Sequence, residues 1–155
     1  MTLALLEAAV DALYSYLNAN MADKLDALDT EYGDFTLDDI KAWYKGALPH
    51  ASLPEYPSIC LLGESWEAND QLSTDLEVHN HITVIIFVGD DNEEVRFRKL
   101  CRYARAVVEL LNSGEASYGY THFIDGRIEL SESIRSEPFL QAVAVPISLQ
   151  KWEAY

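Results

Sequence analysis

The N-terminal segment carries apolar residues at the spacing of a helix. Between Thr2 and Leu28 they recur every three or four positions, at Leu3, Leu6, Val10, Leu13, Leu17, Met21, Leu25 and Leu28. Thr2 is a suitable N-cap, because its hydroxyl can accept a hydrogen bond from a free N–H of the first turn. The pattern predicts one long amphipathic helix, or two helices broken near residues 18–20.

A short second helix is predicted after this pattern fails around residues 32–34. Thr36 is followed three positions later by Asp39, which resembles a capping box with Asp in place of the usual Glu. We therefore predict a helix from Leu37 to about Lys45. The next segment, Gly46 to Pro57, contains three prolines and is predicted to be a surface loop.

Strand patterns follow in the middle and at the end of the chain. Ser58 to Leu62 is a short apolar run, and Leu76 to Val88 is the longest strand pattern; its second half is apolar on both faces, which is typical of a covered sheet. Leu140 to Lys151 alternates in character, and Pro146 within it favours an edge position or a bulge. Asp125 and Gly126, between the runs 121–124 and 127–130, predict a hairpin.

Between Gly89 and Gly114 the pattern is again helical. The acids from Asp90 to Glu94 suit a helix N-terminus, and Gly114 is placed to end the helix. The predicted order is helix, helix, strand, strand, helix and three strands. This order predicts one α+β domain over residues 1–155, with a mainly antiparallel sheet packed on one face by two long helices plus the short helix.

Composition narrows the functional classes. The chain has 155 residues and a formal net charge of −15, which disfavours binding to nucleic acid phosphates through a general basic surface. The longest apolar run, residues 82–88, is far shorter than the roughly 20 residues of a membrane span. Because the N-terminus lacks the basic region of a secretory signal, we predict a cytoplasmic protein whose Cys60 and Cys101 stay reduced and buried.

Candidate chemical sites are few. His79 and His81 share one face of a predicted strand with Glu77, but a metal site would need a third or fourth ligand in a suitable place. Ser65 lacks the second glycine of a nucleophile elbow, and no phosphate-binding or dinucleotide glycine motif is present. We therefore predict a non-enzymatic protein with no catalytic residue, metal or cofactor.

Basic residues are concentrated on the second long helix, where five of the eleven lie at Arg96, Arg98, Lys99, Arg102 and Arg105. Outside residues 96–105 the chain has six basic against 26 acidic side chains, a net charge of −20. Arg98, Arg102 and Arg105 fall at i, i+4 and i+7 and form one stripe. The stripe either pairs with acids of the first helix or meets an acidic face of a neighbouring copy. The second interpretation makes these arginines candidates for the subunit interface of a head-to-tail ring.

In pattern and order, most of the chain resembles the tail terminator, or tail completion, proteins of long-tailed bacteriophages. The segments that carry the resemblance are YPSICLLG, LEVHNHITVIIFVGDDNEE, RFRKLCRYARAVVELLN and the closing AVAVPISLQKWEAY. The resemblance implies a structural protein of the virion tail or neck that is assembled in the host cytoplasm. It also implies a homo-oligomer, a hexameric ring, that caps the tail tube, ends tube polymerisation and joins the tail to the head.

The partners implied by this resemblance are the tail tube protein and a head-completion or connector protein, with no membrane. DNA would pass through the ring without specific binding, and an acidic lumen would repel its phosphates. Trp152 and Tyr155 become candidates for partner contact, while Trp152 is equally suited to the core. The alternatives are another neck or head-closure protein, or an acidic DNA-mimic inhibitor. An inhibitor of that kind would need phosphate-like carboxylate spacing over one exposed face.

Overall fold

The computed structural model describes residues 6–46, 55–70, 75–114, 119–131 and 139–154. In chain order the elements are α1 (Leu6–Tyr32), β1 (Ala42–Gly46), β2 (Ser58–Asp70), β3 (Asp75–Gly89), α2 (Glu93–Gly114), β4 (Thr121–Ile124), β5 (Glu129–Leu130) and β6 (Leu140–Ala154). None of the helices in these ranges has the length and apolar content of a transmembrane span.

The strands form one mixed sheet in the order β1-β2-β3-β6-β4, with β5 also paired to β6. Only β1 and β2 run parallel; every other pair of described strands is antiparallel. β3 is the central strand, and it pairs along its whole length with β6, from Asp75 opposite Ala154 to Gly89 opposite Leu140. The predicted α+β fold with a mainly antiparallel sheet is confirmed.

Both long helices pack on the same face of this sheet. On β3 the even-numbered side chains from Val78 to Val88 face them, and Val84 and Ile86 are fully buried. α1 is unbroken through residues 18–20. Leu3 and the predicted N-cap Thr2 lie outside the described residues, and Leu6 is partly buried. The remaining apolar residues of the sequence pattern are buried, at Val10, Leu13, Leu17, Met21, Leu25 and Leu28. The opposite face of β3, which carries Ile85 and Phe87, is only partly buried, so the prediction of a strand covered on both faces is wrong.

The predicted short helix from Leu37 to Lys45 is also wrong. Residues 36–41 have no regular structure, and residues 42–46 form β1. The Leu37 N–H donates to Asp29 Oδ1 at 2.8 Å, and the Tyr103 hydroxyl donates to the Asp38 carbonyl at 2.6 Å. Trp43 then packs edge-on against Tyr14, with ring centroids 5.5 Å apart. Contacts with both long helices and with β2 therefore override the local capping signal.

The predicted hairpin is replaced by two short strands in series. β4 and β5 both pair with β6, at residues 147–150 and 143–144 respectively. Pro146 lies between these two pairings, and its carbonyl accepts a hydrogen bond from the Asp125 N–H at 2.9 Å. In an antiparallel sheet the N–H and C=O of one residue point toward the same neighbouring strand. The side of Pro146 that lacks an N–H therefore faces the gap between β4 and β5. β6 is therefore an inner strand that tolerates proline.

Candidate functional site

Arg102, the middle arginine of the stripe, is buried between α2 and the segment that follows α1, with 5% of its surface exposed. Its two terminal nitrogens donate to the two carboxylate oxygens of Asp34 at 2.7 and 2.8 Å. The guanidinium carbon also lies 3.8 Å from the ring centroid of Tyr32 and 4.3 Å from that of Phe35. This two-pronged pairing and aromatic stacking use the planar geometry of the guanidinium, so Arg102 joins elements of its own chain.

The pairing lowers the pKa of Asp34. Hydrogen bonds from Arg102, and next from the Phe35 backbone N–H, hold that pKa well below its ordinary value. The pKa of Arg102 is raised, chiefly by its hydrogen bond to Asp34. A carboxyl with a lowered pKa stabilises the fold at every pH above the pKa that it has in the unfolded chain. This stabilisation is lost as the pH falls through the pKa that it has in the folded protein. The ion pair therefore operates fully at neutral pH.

Arg105, the last arginine of the stripe, connects α2 directly to α1. It forms ion pairs with Glu31 at 3.0 Å and Glu109 at 3.1 Å, and it donates to the Tyr32 hydroxyl at 2.9 Å. These hydrogen bonds, that to Tyr32 first, raise the pKa of Arg105. Lys24 of α1 also reaches Glu109, at 3.1 Å. Both arginines therefore pair within the chain, but only Arg105 meets an acid of the first helix, Glu31, because the partner of Arg102 lies two residues after α1 ends.

Arg98 differs from the other two arginines because its side chain is 52% exposed. Its ion pair, at 3.0 Å, joins it to Glu94 one turn earlier on the same helix. Such exposed pairs contribute only about 0.3–0.5 kcal/mol, so this contact leaves Arg98 available to a partner. The neighbouring side chain, Phe97, is 53% exposed. Of the three interface candidates, Arg98 has the most exposed side chain.

The predicted partner contacts at the C-terminal end are not settled. Trp152 belongs to β6, where its backbone is paired with that of Glu77. Its side chain, like the whole of Tyr155, lies outside the described residues. The role of both aromatic residues in partner contact stays a prediction.

The two strand histidines have separate polar partners on the face of the sheet away from the helices. His79 Nε2 lies 3.0 Å from Glu77 Oε1, and Gln150 lies 2.8 Å from its other ring nitrogen. His81 Nδ1 lies 2.9 Å from Asp125 Oδ2. Within the described ranges, His, Cys, Asp and Glu side chains form no group of three or more that could hold a metal ion. These contacts favour the interpretation as partly exposed sheet histidines.

Two apolar surfaces were missed in the sequence. The first, the α2–β5 groove, has a volume of about 420 Å³ and contains Cys101, Ala104, Val108, Ile128 and Leu130 in its lining. Cys101, expected to be buried, is exposed there. The sequence predicts a hairpin for Ile128 and Leu130, and a hairpin pattern does not indicate that these side chains face a groove beside α2.

The second surface, the α1–β2 corner, is a pocket of about 440 Å³ whose lining includes Leu6, Val10, Gly63 and Trp66. Gly63 allows α1 to approach the sheet closely, because a Cβ at this position would lie 3.1 Å from Leu6 Cδ2. Trp66 is 50% exposed although it lies in a polar stretch of sequence. A large aromatic residue within a polar segment was the sequence signal that could have identified this surface.

No protein-family model matches the chain, and no curated protein is significantly similar to it.

Proposed function

We propose that this chain is a non-enzymatic structural subunit of a long-tailed phage virion. It assembles in the host cytoplasm into a ring, expected to be a hexamer, that caps the tail tube, ends tube polymerisation and joins the tail to the head through a connector protein. The resemblance in segment pattern supports the phage assignment. The observation that carries the assembly role is the presence of two separate exposed apolar surfaces, the α2–β5 groove and the α1–β2 corner. Exposed apolar surface of this kind is typical of contact with another protein.

The charge distribution supports passage of DNA without binding. Lys24, Lys99, Arg102 and Arg105 all form ion pairs with acids of the same chain. Since these cations are neutralised internally, the chain presents its net charge of −15 largely as surface carboxylates. A ring of such copies has a negative field that repels phosphates along its inner wall.

Imaging of tail tubes tests this function. Tail tube protein from the same genome is polymerised with and without the chain, fresh tube protein is then added, and the tubes are examined by negative-stain microscopy. We expect a ring at one end of each tube and no further growth from that end, because the ring covers the surface to which the next tube subunit would add. An unrelated acidic protein of similar size is the control and should leave growth unchanged.

Uninterrupted growth from both ends would contradict the proposal. Binding to the connector protein without capping of tubes would instead assign the chain to another neck component. Binding to a DNA-binding protein by a monomer that never touches tubes would favour the DNA-mimic alternative.

A further inference from the structure

The α2–β5 groove continues along α2 toward the helix N-terminus. Phe97 lies one turn before Cys101 on the same side of the helix, so its exposed ring adjoins the end of the groove that Cys101 lines. Ile128 and Leu130, on the facing strand segment, are 43% and 40% exposed. Arg98 stands beside Phe97 at the margin. We call this whole region, the groove with Phe97 and Arg98, the α2–β5 surface.

The α1–β2 corner combines an apolar floor with an acidic rim. Leu6, Val10 and Trp66 line its pocket, and Glu7 and Asp11 stand on the same first turns of α1. Asp11 makes an exposed ion pair with Lys45 at 3.2 Å. In the described part of the chain, Glu7 makes no ion pair. The corner therefore offers an apolar pocket with a free carboxylate beside it.

These two surfaces lie at opposite ends of one copy. α1 and α2 are antiparallel, because Tyr16 donates to the Leu110 carbonyl while Glu31 pairs with Arg105. At 1.5 Å per residue, the Tyr16 contact places Leu6 and Phe97 about 35 Å apart along the helix direction, and the Glu31 contact places them about 50 Å apart. They cannot meet within one chain. Since the surfaces are different, their contact between chains is head to tail, which closes into a ring when the rotation permits.

Charge complementarity selects a second copy as the occupant. Every copy has a net charge of −15, so most ways of placing two copies together bring carboxylates against carboxylates. On the α2–β5 surface Arg105 is paired with Glu109, and Arg98 is the cation whose pairing is weak. In the α1–β2 corner Lys45 is paired with Asp11, and Glu7 is the carboxylate without an ion pair among the described residues. Contact between these two surfaces joins apolar areas and places the cation near the acids.

We infer that copies of this chain bind head to tail, with the α2–β5 surface of one copy covering the α1–β2 corner of the next. Phe97 packs against the pocket around Trp66, and Arg98 faces Glu7 and Asp11. The inference rests on the proposed function, since it identifies the subunit interface of the proposed ring.

A complementation experiment tests this interface. Phe97→Asp disables one surface and Trp66→Asp disables the other, so each variant alone should sediment as a monomer where the wild type assembles. An equimolar mixture keeps one intact pair of surfaces, the α2–β5 surface of the Trp66 variant with the corner of the Phe97 variant. Because the second pair is blocked, we expect heterodimers and no larger species, measured by sedimentation velocity and native mass spectrometry.

Phe123→Asp is the matched control. Phe123 is 49% exposed. It pairs with Ser148 of β6, and its side chain lies on the sheet face away from the helices. It should assemble as the wild type does. The milder variants Phe97→Ala and Trp66→Ala, each expected to weaken association by about tenfold, provide the test if the charged variants fail to fold.

The outcomes separate the interface from the function. Wild-type assembly that survives both charged variants, or both alanine variants where the charged ones do not fold, would overturn the interface and leave the ring intact. Two monomeric variants that do not combine on mixing would also overturn it. Complementation by a protein that never caps tubes would retain the interface and reject the proposed function. A wild type that remains monomeric would reject both.

Discussion

Replacing Arg102 by alanine should lower the free energy of unfolding by about 2 kcal/mol. The variant loses the paired hydrogen bonds to Asp34 and the stacking on Tyr32 and Phe35, which together join α2 to the end of α1. The expected loss is moderate for a buried arginine because the Asp34 side chain is 46% exposed and can be rehydrated. Urea unfolding followed by circular dichroism measures the change.

Arg98→Ala is the matched control, from the same helix and the same residue type. Its ion pair with Glu94 is exposed, so the expected change is below about 0.5 kcal/mol. Equal losses in the two variants would contradict the assignment of Arg102 to an internal contact.

The burial of Arg102 also limits which arginine of the stripe can be reversed in charge. Arg102→Glu would disrupt the fold as well as any assembly, so only Arg98 is suitable for testing the interface by reversal.

Salt should strengthen self-association, by about tenfold between about 50 and about 500 mM sodium chloride. Each copy carries a net charge of −15, and salt screens the repulsion between copies. The two surfaces proposed to meet, the α2–β5 surface and the α1–β2 corner, are mainly apolar. Salt screening does not weaken the burial of apolar surface. Sedimentation velocity at several salt concentrations measures the change in dissociation constant.

The opposite sign would indicate a different interface. If the arginine stripe met an acidic face of the neighbouring copy as its main contact, salt would weaken association because the attraction itself would be screened. Phe123→Asp, which adds charge away from the proposed contact, should retain the salt response of the wild type.

Elements with strong internal periodicity were predictable from sequence. α1 and α2 each repeat their apolar positions often enough to identify both the helix and its buried side. The apolar run of β3 identified the strand, but because it is apolar on both faces it did not show which face is buried. β1 was missed because its conformation depends on β2, which begins twelve residues after β1 ends, and on the ring of Tyr14. Pairing of this kind is not encoded in a local window, and here it outweighed an apparent capping box.

The candidate site shows the same division. The sequence showed that Arg98, Arg102 and Arg105 share one side of a helix, but it left open which acids they meet. Asp34 is 68 residues from Arg102, so the packing of α1 against α2 decides which arginine is buried and which stays exposed. The two apolar surfaces depend on the same tertiary packing, because each is built from a helix and a distant strand.

Native mass spectrometry of the wild-type chain, at high ionic strength and over a range of concentrations, tests self-assembly most directly. Closed head-to-tail association predicts one dominant oligomer, expected to be the hexamer, in equilibrium with the monomer and with few intermediate species. A chain that remains monomeric at every concentration, or forms only dimers, would contradict ring assembly.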